Sequence, residues 1–175
     1  MTSRDEGFES FAAARSGALF RTAWLLTGDW QLAEDLVQET LARIYLRWRK
    51  VSHMDNPAAY ARRTLVNVHT SYRRVRRNSE RPAADPSDST AAQGHDHGRD
   101  HGDDPDVRLT LLAGLARLER TDRSVLVLRY WEDLDVNATA ELLGMSAANV
   151  RTRSMRALAR LREALGADLD DLPTR

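Results

Sequence analysis

The fold is decided by the stretch Asp133–Arg162, which reads DLDVNATAELLGMSAANVRTRSMRALARLR. Asp135 can begin a first helix by accepting backbone N–H bonds, and Gly144 stands where a left-handed residue has to end that helix. Ser146 can cap a second helix only two residues later, so the connection is tight. Two helices joined in this way are typical of a DNA-binding helix-turn-helix.

The helix that begins at Ala147 has two faces when its residues are placed roughly 100° apart. Its inward arc is predicted to hold Val150, Ser154, Leu158, Leu161 and Leu165. The opposite face carries Ala148, Asn149, Thr152 and Arg156, flanked by Arg151, Arg153, Arg160 and Arg162. A helix in the major groove needs small and bidentate polar side chains near its start and cations along its edges. Five arginines and no acid between Ala147 and Arg162 favour DNA contact over a merely solvated face, which usually mixes charge signs.

Composition favours an all-α protein, because leucine, alanine and arginine dominate the 175 residues. The chain has no cysteine, which excludes disulfides and thiolate metal sites. No transmembrane span or signal-peptide core is visible, so we expect a cytoplasmic protein without a membrane partner. The net charge of zero hides a segregation of sign: residues 43–77 contain ten bases and one acid, whereas residues 80–106 contain eight acids and two arginines.

The helix predicted from about Trp30 to Lys50 has an outward face that begins with acidic and amide side chains. Its inward arc is predicted to hold Ala33, Leu36, Val37, Leu41, Ile44 and Trp48. Outward lie Asp35, Gln38 and Glu39, followed by a partly apolar strip. Acids near the start of a helix also suit its macrodipole. The residues alone therefore leave a protein-docking face and a purely structural role equally open.

A second basic helix is predicted from Pro57 to about Arg77, with Asn56 as its cap. We expect it to bury Ala61, Leu65, Val68, Tyr72 and Val75. Its far side carries Arg63, Asn67, Thr70, Arg73, Arg74 and Arg77. Aromatic rings beside cations suit single-stranded nucleic acid, and Trp48 and Tyr60 flank the preceding loop. Trp48 also fits the inward arc, which favours a core position for it.

Residues 79–106 are predicted to form a flexible acidic linker, since they offer almost no large apolar side chain to bury. His95, His97 and His101 could bind a metal there, but no flanking framework would fix them, and we predict no metal site. No nucleophile stands beside a base and no phosphate loop is visible, so no catalytic residue and no cofactor are predicted. The predicted domains are residues 1–78 and 107–165, with a flexible tail at 166–175.

The order of four motifs and the helix-turn-helix resembles a bacterial RNA polymerase sigma factor. The motifs are FRTAWLLTGD (20–29), AEDLVQET (33–40), NPAAYARR (56–63) and LVLRYWEDL (126–134). The resemblance is to the extracytoplasmic-function group of the sigma-70 family, most of all to the actinobacterial SigE family, and it covers nearly all of residues 8–165. One departure is Thr139, which stands where such helices commonly carry a larger aliphatic residue.

The resemblance implies two small helical domains, sigma region two and sigma region four, joined by the linker. Asp35, Gln38 and Glu39 would contact core polymerase on the clamp of the β′ subunit. The minus ten element would be melted and read by Asn56, Arg63, Asn67, Thr70, Arg74 and Arg77. The minus thirty-five element would be read by Ala148, Asn149, Thr152 and Arg156, with Arg151, Arg153 and Arg160 on phosphates.

The implied partners are the β′ and β subunits of RNA polymerase core and promoter DNA, both duplex and melted. An anti-sigma factor is left open. The protein would be a specificity subunit without catalysis. Two alternatives remain: a stand-alone helix-turn-helix regulator that does not dock on polymerase, and a metal-dependent enzyme or sensor built on His95, His97 and His101.

Overall fold

The computed structural model describes residues 3–79 and 105–170, and every regular element in these two ranges is helical. The first range contains α1 (Ser3–Thr27), α2 (Trp30–Leu46), α3 (Trp48–Val51) and α4 (Pro57–Ser79). The second contains α5 (Pro105–Ala116), α6 (Arg120–Leu126), a π-helical turn (Val127–Trp131), α7 (Val136–Leu143) and α8 (Ala147–Asp170). The all-α class that composition predicts is confirmed.

The described residues form two compact units. One comprises residues 3–24 and 29–79, and the other comprises residues 105–170 with the short segment 25–28. The predicted linker, including His95, His97 and His101, lies almost entirely outside the described residues, as does the end of the predicted tail.

The first unit is built around the packing of α2 on α4. Its buried core contains Leu19, Ala33, Leu36, Ile44, Trp48, Val51, Ala61 and Leu65. Phe8 and Phe11 meet the Trp48 ring edge-on or tilted, with centroids 5.6 and 5.0 Å away. Trp48 is thus a core residue, as its helical spacing predicts, and it is not a stacking platform for bases.

The second unit packs α5, α6 and α7 against α8. One buried cluster contains Leu115, Leu118, Leu126 and Ala157, and another contains Val125, Ala140 and Val150. Thr139 is fully buried, and its hydroxyl donates to the Asp135 carbonyl at 2.8 Å. The position that departs from the family pattern therefore keeps its polar atom satisfied within α7.

Several predicted boundaries and core positions are wrong. The predicted helix from Trp30 to Lys50 breaks at Arg47, where the backbone N–H turns back to the Ile44 carbonyl and α3 begins. Tyr72 is 41% exposed, and α4 buries Val66 and His69 on its inner side. Helix α8 continues through Asp170, past the predicted tail boundary at 166.

Candidate nucleic-acid interface

The helix-turn-helix is defined by three local features that the sequence predicts: a cap at the start of α7, a left-handed glycine at its end, and a cap at the start of α8. The Asp135 carboxylate accepts from the Ala138 N–H at 2.8 Å, and Ser146 Oγ accepts from the Asn149 N–H at 3.2 Å. Between them Gly144 has φ 64°, and the N–H of Met145 bonds to the Ala140 carbonyl at 3.0 Å. This pattern is a Schellman motif, which terminates α7 and sets the direction of α8.

Helix α8 presents an exposed polar face opposite its core face. Val150, Ser154 and Ala157 are buried, whereas Ala148, Asn149, Arg151 and Arg156 are exposed. Thr152 is half-buried, and its hydroxyl donates to the Ala148 carbonyl at 3.1 Å. The structure thus gathers the predicted base-reading residues on one accessible side of the helix.

Two of the predicted phosphate contacts have an internal partner. Arg153 Nη1 lies 2.6 Å from Asp122 Oδ1 and 3.0 Å from Glu119 Oε2. Arg160 Nη1 lies 3.2 Å from Asp122 Oδ2. Hydrogen bonds to Asp122 and then to Glu119 raise the pKa of Arg153. Both arginines therefore help to hold α8 against α6, a role that helical spacing did not reveal.

Met155 is a surface residue that the sequence analysis overlooked. It is 68% exposed and follows Arg151 and Thr152 by one helical turn on α8. An exposed thioether next to polar reading residues can contact the thymine methyl group, as apolar side chains do in the major groove. The available signal was an apolar residue on a wheel position outside the inward arc.

The predicted strip on α4 is also accessible over most of its length. Arg63, Asn67 and Arg74 are exposed. Thr70 between them is half-buried, and its hydroxyl oxygen is fully buried, so the structure does not present this predicted contact atom on the helix surface. The spacing of three to four residues places all four on one side of the helix. The side chain of Arg77 lies outside the described residues. The strip carries arginines and no acid.

The loop that precedes α4 is held from both ends. Trp48 and Val51 anchor α3 in the core, and Met54 packs against the same cluster. On the other side Asn56 Oδ1 accepts from the Ala59 N–H at 2.9 Å, which confirms the predicted cap. The cap uses one lone pair of this oxygen, and the amide N–H groups of Asn56 can also contact a base.

Helix α2 begins at Asp29, whose carboxylate accepts from the Leu32 N–H at 3.0 Å. This cap orients a strip of exposed side chains comprising Asp35, Gln38, Glu39, Ala42 and Leu46. Leu46 is 78% exposed, and Glu39 pairs with Arg43 at 2.7 Å. The strip thus offers acidic, amidic and apolar side chains on one exposed side of α2.

Other kinds of site find little support in the described ranges. No group of three or more histidine, cysteine or acidic side chains in residues 3–79 and 105–170 could hold a metal ion. None of the described helices combines the length and apolarity needed to cross a membrane. The described residues thus define a class of protein: a helical nucleic-acid-binding protein with a helix-turn-helix in one unit and a basic helix in the other.

Comparison with known proteins narrows this class. Residues 12–80 match the family described as Sigma-70 region 2, and residues 108–161 match Sigma-70, region 4. The RNA polymerase sigma-E factor of Streptomyces coelicolor is 40% identical over 164 residues, covering 93% of this chain and 89% of that protein. That of Streptomyces avermitilis is 39% identical over 93% of this chain and 88% of its own length. The chain belongs to the sigma-70 family of RNA polymerase sigma factors.

A solved structure supports the same fold. The sigma factor RpoE from Bartonella quintana, in complex with the anti-sigma factor NepR, has a TM-score of 0.65 to this chain. It is 24% identical and covers 93% of this chain and 99% of that one. The family predicted from the order of the motifs is confirmed, while the role of each site residue stays a prediction.

Proposed function

We propose that this chain binds core RNA polymerase and directs it to specific promoters, as a sigma factor of the extracytoplasmic-function group without catalytic activity of its own. The observation that carries the proposal is the pair of exposed basic helix faces, on α4 in one unit and on α8 in the other. A cytoplasmic location follows from this function. RpoE of Bartonella quintana binds an anti-sigma factor, and a partner of that class is part of the proposal.

In the second unit, α8 reads the minus thirty-five element as duplex DNA. Asn149, Thr152 and Arg156 supply side chains that can bond base edges in the major groove, and Ala148 leaves room for close approach. Arg151 is exposed at the edge of this face and contacts phosphate. Each well-formed bidentate contact contributes about 1–3 kcal/mol of discrimination.

In the first unit, α4 and its preceding loop bind the minus ten element. Arg63, Arg74 and Arg77 neutralise phosphates, while Asn67 contributes a polar contact. Asn56 lies at the start of α4, where its amide can contact an unstacked base. Extruding a base costs a few kcal/mol, and docking on polymerase helps to offset this cost.

The strip on α2 docks on the clamp of the β′ subunit. Asp35, Gln38 and Glu39 supply the polar contacts, and Leu46 extends the strip with apolar area. Charged side chains at the edge of such an interface steer association, whereas the buried apolar area supplies most of the affinity. The β subunit completes the core to which the chain binds.

Reconstitution tests this proposal. Purified chain is added to core RNA polymerase of Streptomyces coelicolor, and transcripts from a fragmented genomic library are mapped. New transcripts with shared sequences upstream of their starts are the expected result. Failure to bind core refutes the proposal. A free chain that binds those duplex sequences as tightly as the holoenzyme does would instead support a stand-alone regulator.

A charge-reversed variant tests whether the strip on α2 contacts core polymerase. Asp35→Lys should weaken core binding, because it places a cation on the α2 strip. Glu9→Lys changes the same charge at an exposed position on α1 and serves as the matched control. Equal core affinity of the two variants would contradict the assignment of α2.

A further inference from the structure

A buried carboxylate joins α6 to the helix assigned to DNA reading. The side chain of Asp122 is only 6% exposed, and both its oxygens are engaged. Oδ1 lies 2.6 Å from Arg153 Nη1, and Oδ2 lies 3.2 Å from Arg160 Nη1. Glu119, one turn earlier, adds a second acid 3.0 Å from Arg153.

The two arginines are seven residues apart, which is about two turns of one helix face. A single carboxylate thus holds α8 at two points along its length. The side chains that α8 buries nearby are small, namely Val150, Ser154 and Ala157. Leu158 and Leu161, further along the helix, pack against the cluster of Leu115, Leu118 and Leu126. The two ion pairs add to this packing, and they lie on the flank of α8 beside the residues assigned to base reading.

The two arginines share this carboxylate unequally. Arg153 is 30% exposed and directs one nitrogen at two acids, whereas Arg160 is 59% exposed and makes one longer contact. A guanidinium held by two carboxylates loses more when it moves to a phosphate than one held by a single acid does. Arg160 can therefore contact DNA, whereas Arg153 keeps its ion pairs with Asp122 and Glu119.

We propose that Asp122 is a positioning residue for promoter recognition and that Arg153 is its internal partner, not a phosphate contact. Asp122 sets the rotation at which Asn149, Thr152 and Arg156 meet the base edges, and thereby determines sequence discrimination. The inference rests on the proposed function, and it reassigns Arg153 from the phosphate role that its place on the wheel predicts.

The test uses holoenzyme and two DNA fragments: a promoter recovered by the transcript mapping, and the same fragment with its minus thirty-five element scrambled. Affinity is measured over a range of salt concentration. Asp122→Asn keeps the shape of the side chain but removes its charge. We expect the affinity ratio between the two fragments to fall roughly tenfold, the size of one lost base contact. The freed Arg153 should steepen the salt dependence by about one phosphate contact.

Arg153→Gln gives an independent measurement, because Asp122 keeps its pair with Arg160. The affinity ratio between the two fragments should fall for this variant, while the slope of log affinity against log salt stays at the wild-type value. The matched control, Arg151→Gln, removes an exposed arginine two positions away and should lower that slope by about one. Circular dichroism checks the helix content of each variant.

Two results overturn this inference and leave the proposed function intact. One is a salt dependence that weakens as much in Arg153→Gln as in Arg151→Gln. The other is a folded Asp122→Asn variant whose affinity ratio between the two fragments equals that of the wild type. If Asp122→Asn does not fold, the Arg153→Gln slope decides. Wild-type holoenzyme that does not distinguish the two fragments overturns the proposed function together with the inference.

Discussion

Gly144 offers a sharp test of the turn that orients the DNA-reading helix. Its φ is 64°, in the left-handed region, and a Cβ built at this position meets no atom within 4 Å. Substitution by alanine therefore creates no clash with other residues. It retains the bonds from the N–H groups of Gly144 and Met145 to the Glu141 and Ala140 carbonyls. The cost is limited to the strain between the new Cβ and its own backbone, about 1–2 kcal/mol.

The hydrogen exchange rates of individual backbone amides in the full chain measure this destabilisation at the turn itself. Since 1.4 kcal/mol is about a factor of ten, Gly144→Ala should speed exchange in α7 and the start of α8 roughly 5- to 30-fold. Amides of α2 and α4, in the other unit, serve as the internal reference. Gly144→Asn should lie between glycine and alanine, because asparagine tolerates the left-handed region better than alanine does.

Gly166 supplies a control of opposite sign. It lies inside α8, and an added Cβ there also meets no atom within 4 Å, but its φ is not positive. Gly166→Ala should therefore stabilise the end of α8 by about 0.5–1 kcal/mol and slow exchange there. The reasoning is refuted if both alanine variants change exchange in the same direction, or if Gly144→Ala leaves α7 unaffected.

Substitutions at three other positions test the core, the loop and the reading face. Trp48→Ala should destabilise the first unit by about 3–5 kcal/mol in urea unfolding, because the buried ring packs against Phe8 and Phe11 of α1. Asn56→Ala should lower the free energy of unfolding by about 1 kcal/mol, because the cap is lost, whereas Asn56→Asp retains the cap. Equal promoter opening by Asn56→Asp and wild type would exclude the amide as a base contact. Arg156→Ala should cost about 1–3 kcal/mol and relax preference at one base pair in binding selections; a uniform loss across all sequences would make Arg156 a phosphate contact.

The helix starts were predictable because their signals are local. Asp29, Asn56, Asp135 and Ser146 each cap a helix through an N–H three residues ahead, so the whole motif lies within four residues of sequence. Gly144 is local for the same reason, since no other residue type adopts its φ at so little cost. Such positions can be read without knowledge of the tertiary fold.

Tyr72 shows where periodicity fails. Spacing correctly indicates which side of α4 faces inward, but it does not indicate how far the neighbouring helix extends. Helix α4 has 23 residues and α2 has 17, and the residues that α4 contributes to the core cluster, Ala61, Leu65 and Val68, all precede Tyr72. The break at Arg47 is similar, because neither glycine nor proline marks it and tertiary packing of Trp48 accompanies it.

The partner of Arg153 was unpredictable for another reason. The wheel correctly places Arg153 and Arg160 on one flank of α8, but Asp122 precedes them by 31 and 38 residues. A charge pattern within one helix cannot distinguish a flank that faces DNA from one that faces another helix. Only the packing of α6 on α8 resolves the two possibilities.

Several side chains on the proposed DNA surfaces also bond within the protein. Asn56 caps α4, Thr152 donates to the Ala148 carbonyl, and Arg160 pairs with Asp122. Side chains held in this way have lost conformational freedom before DNA binds, so the complex does not bear that entropy cost again. Alanine substitution at such a position removes the internal bond and the DNA contact together. Substitutions that preserve the internal bond, such as Asn56→Asp and Thr152→Ser, are therefore needed to measure recognition separately from stability.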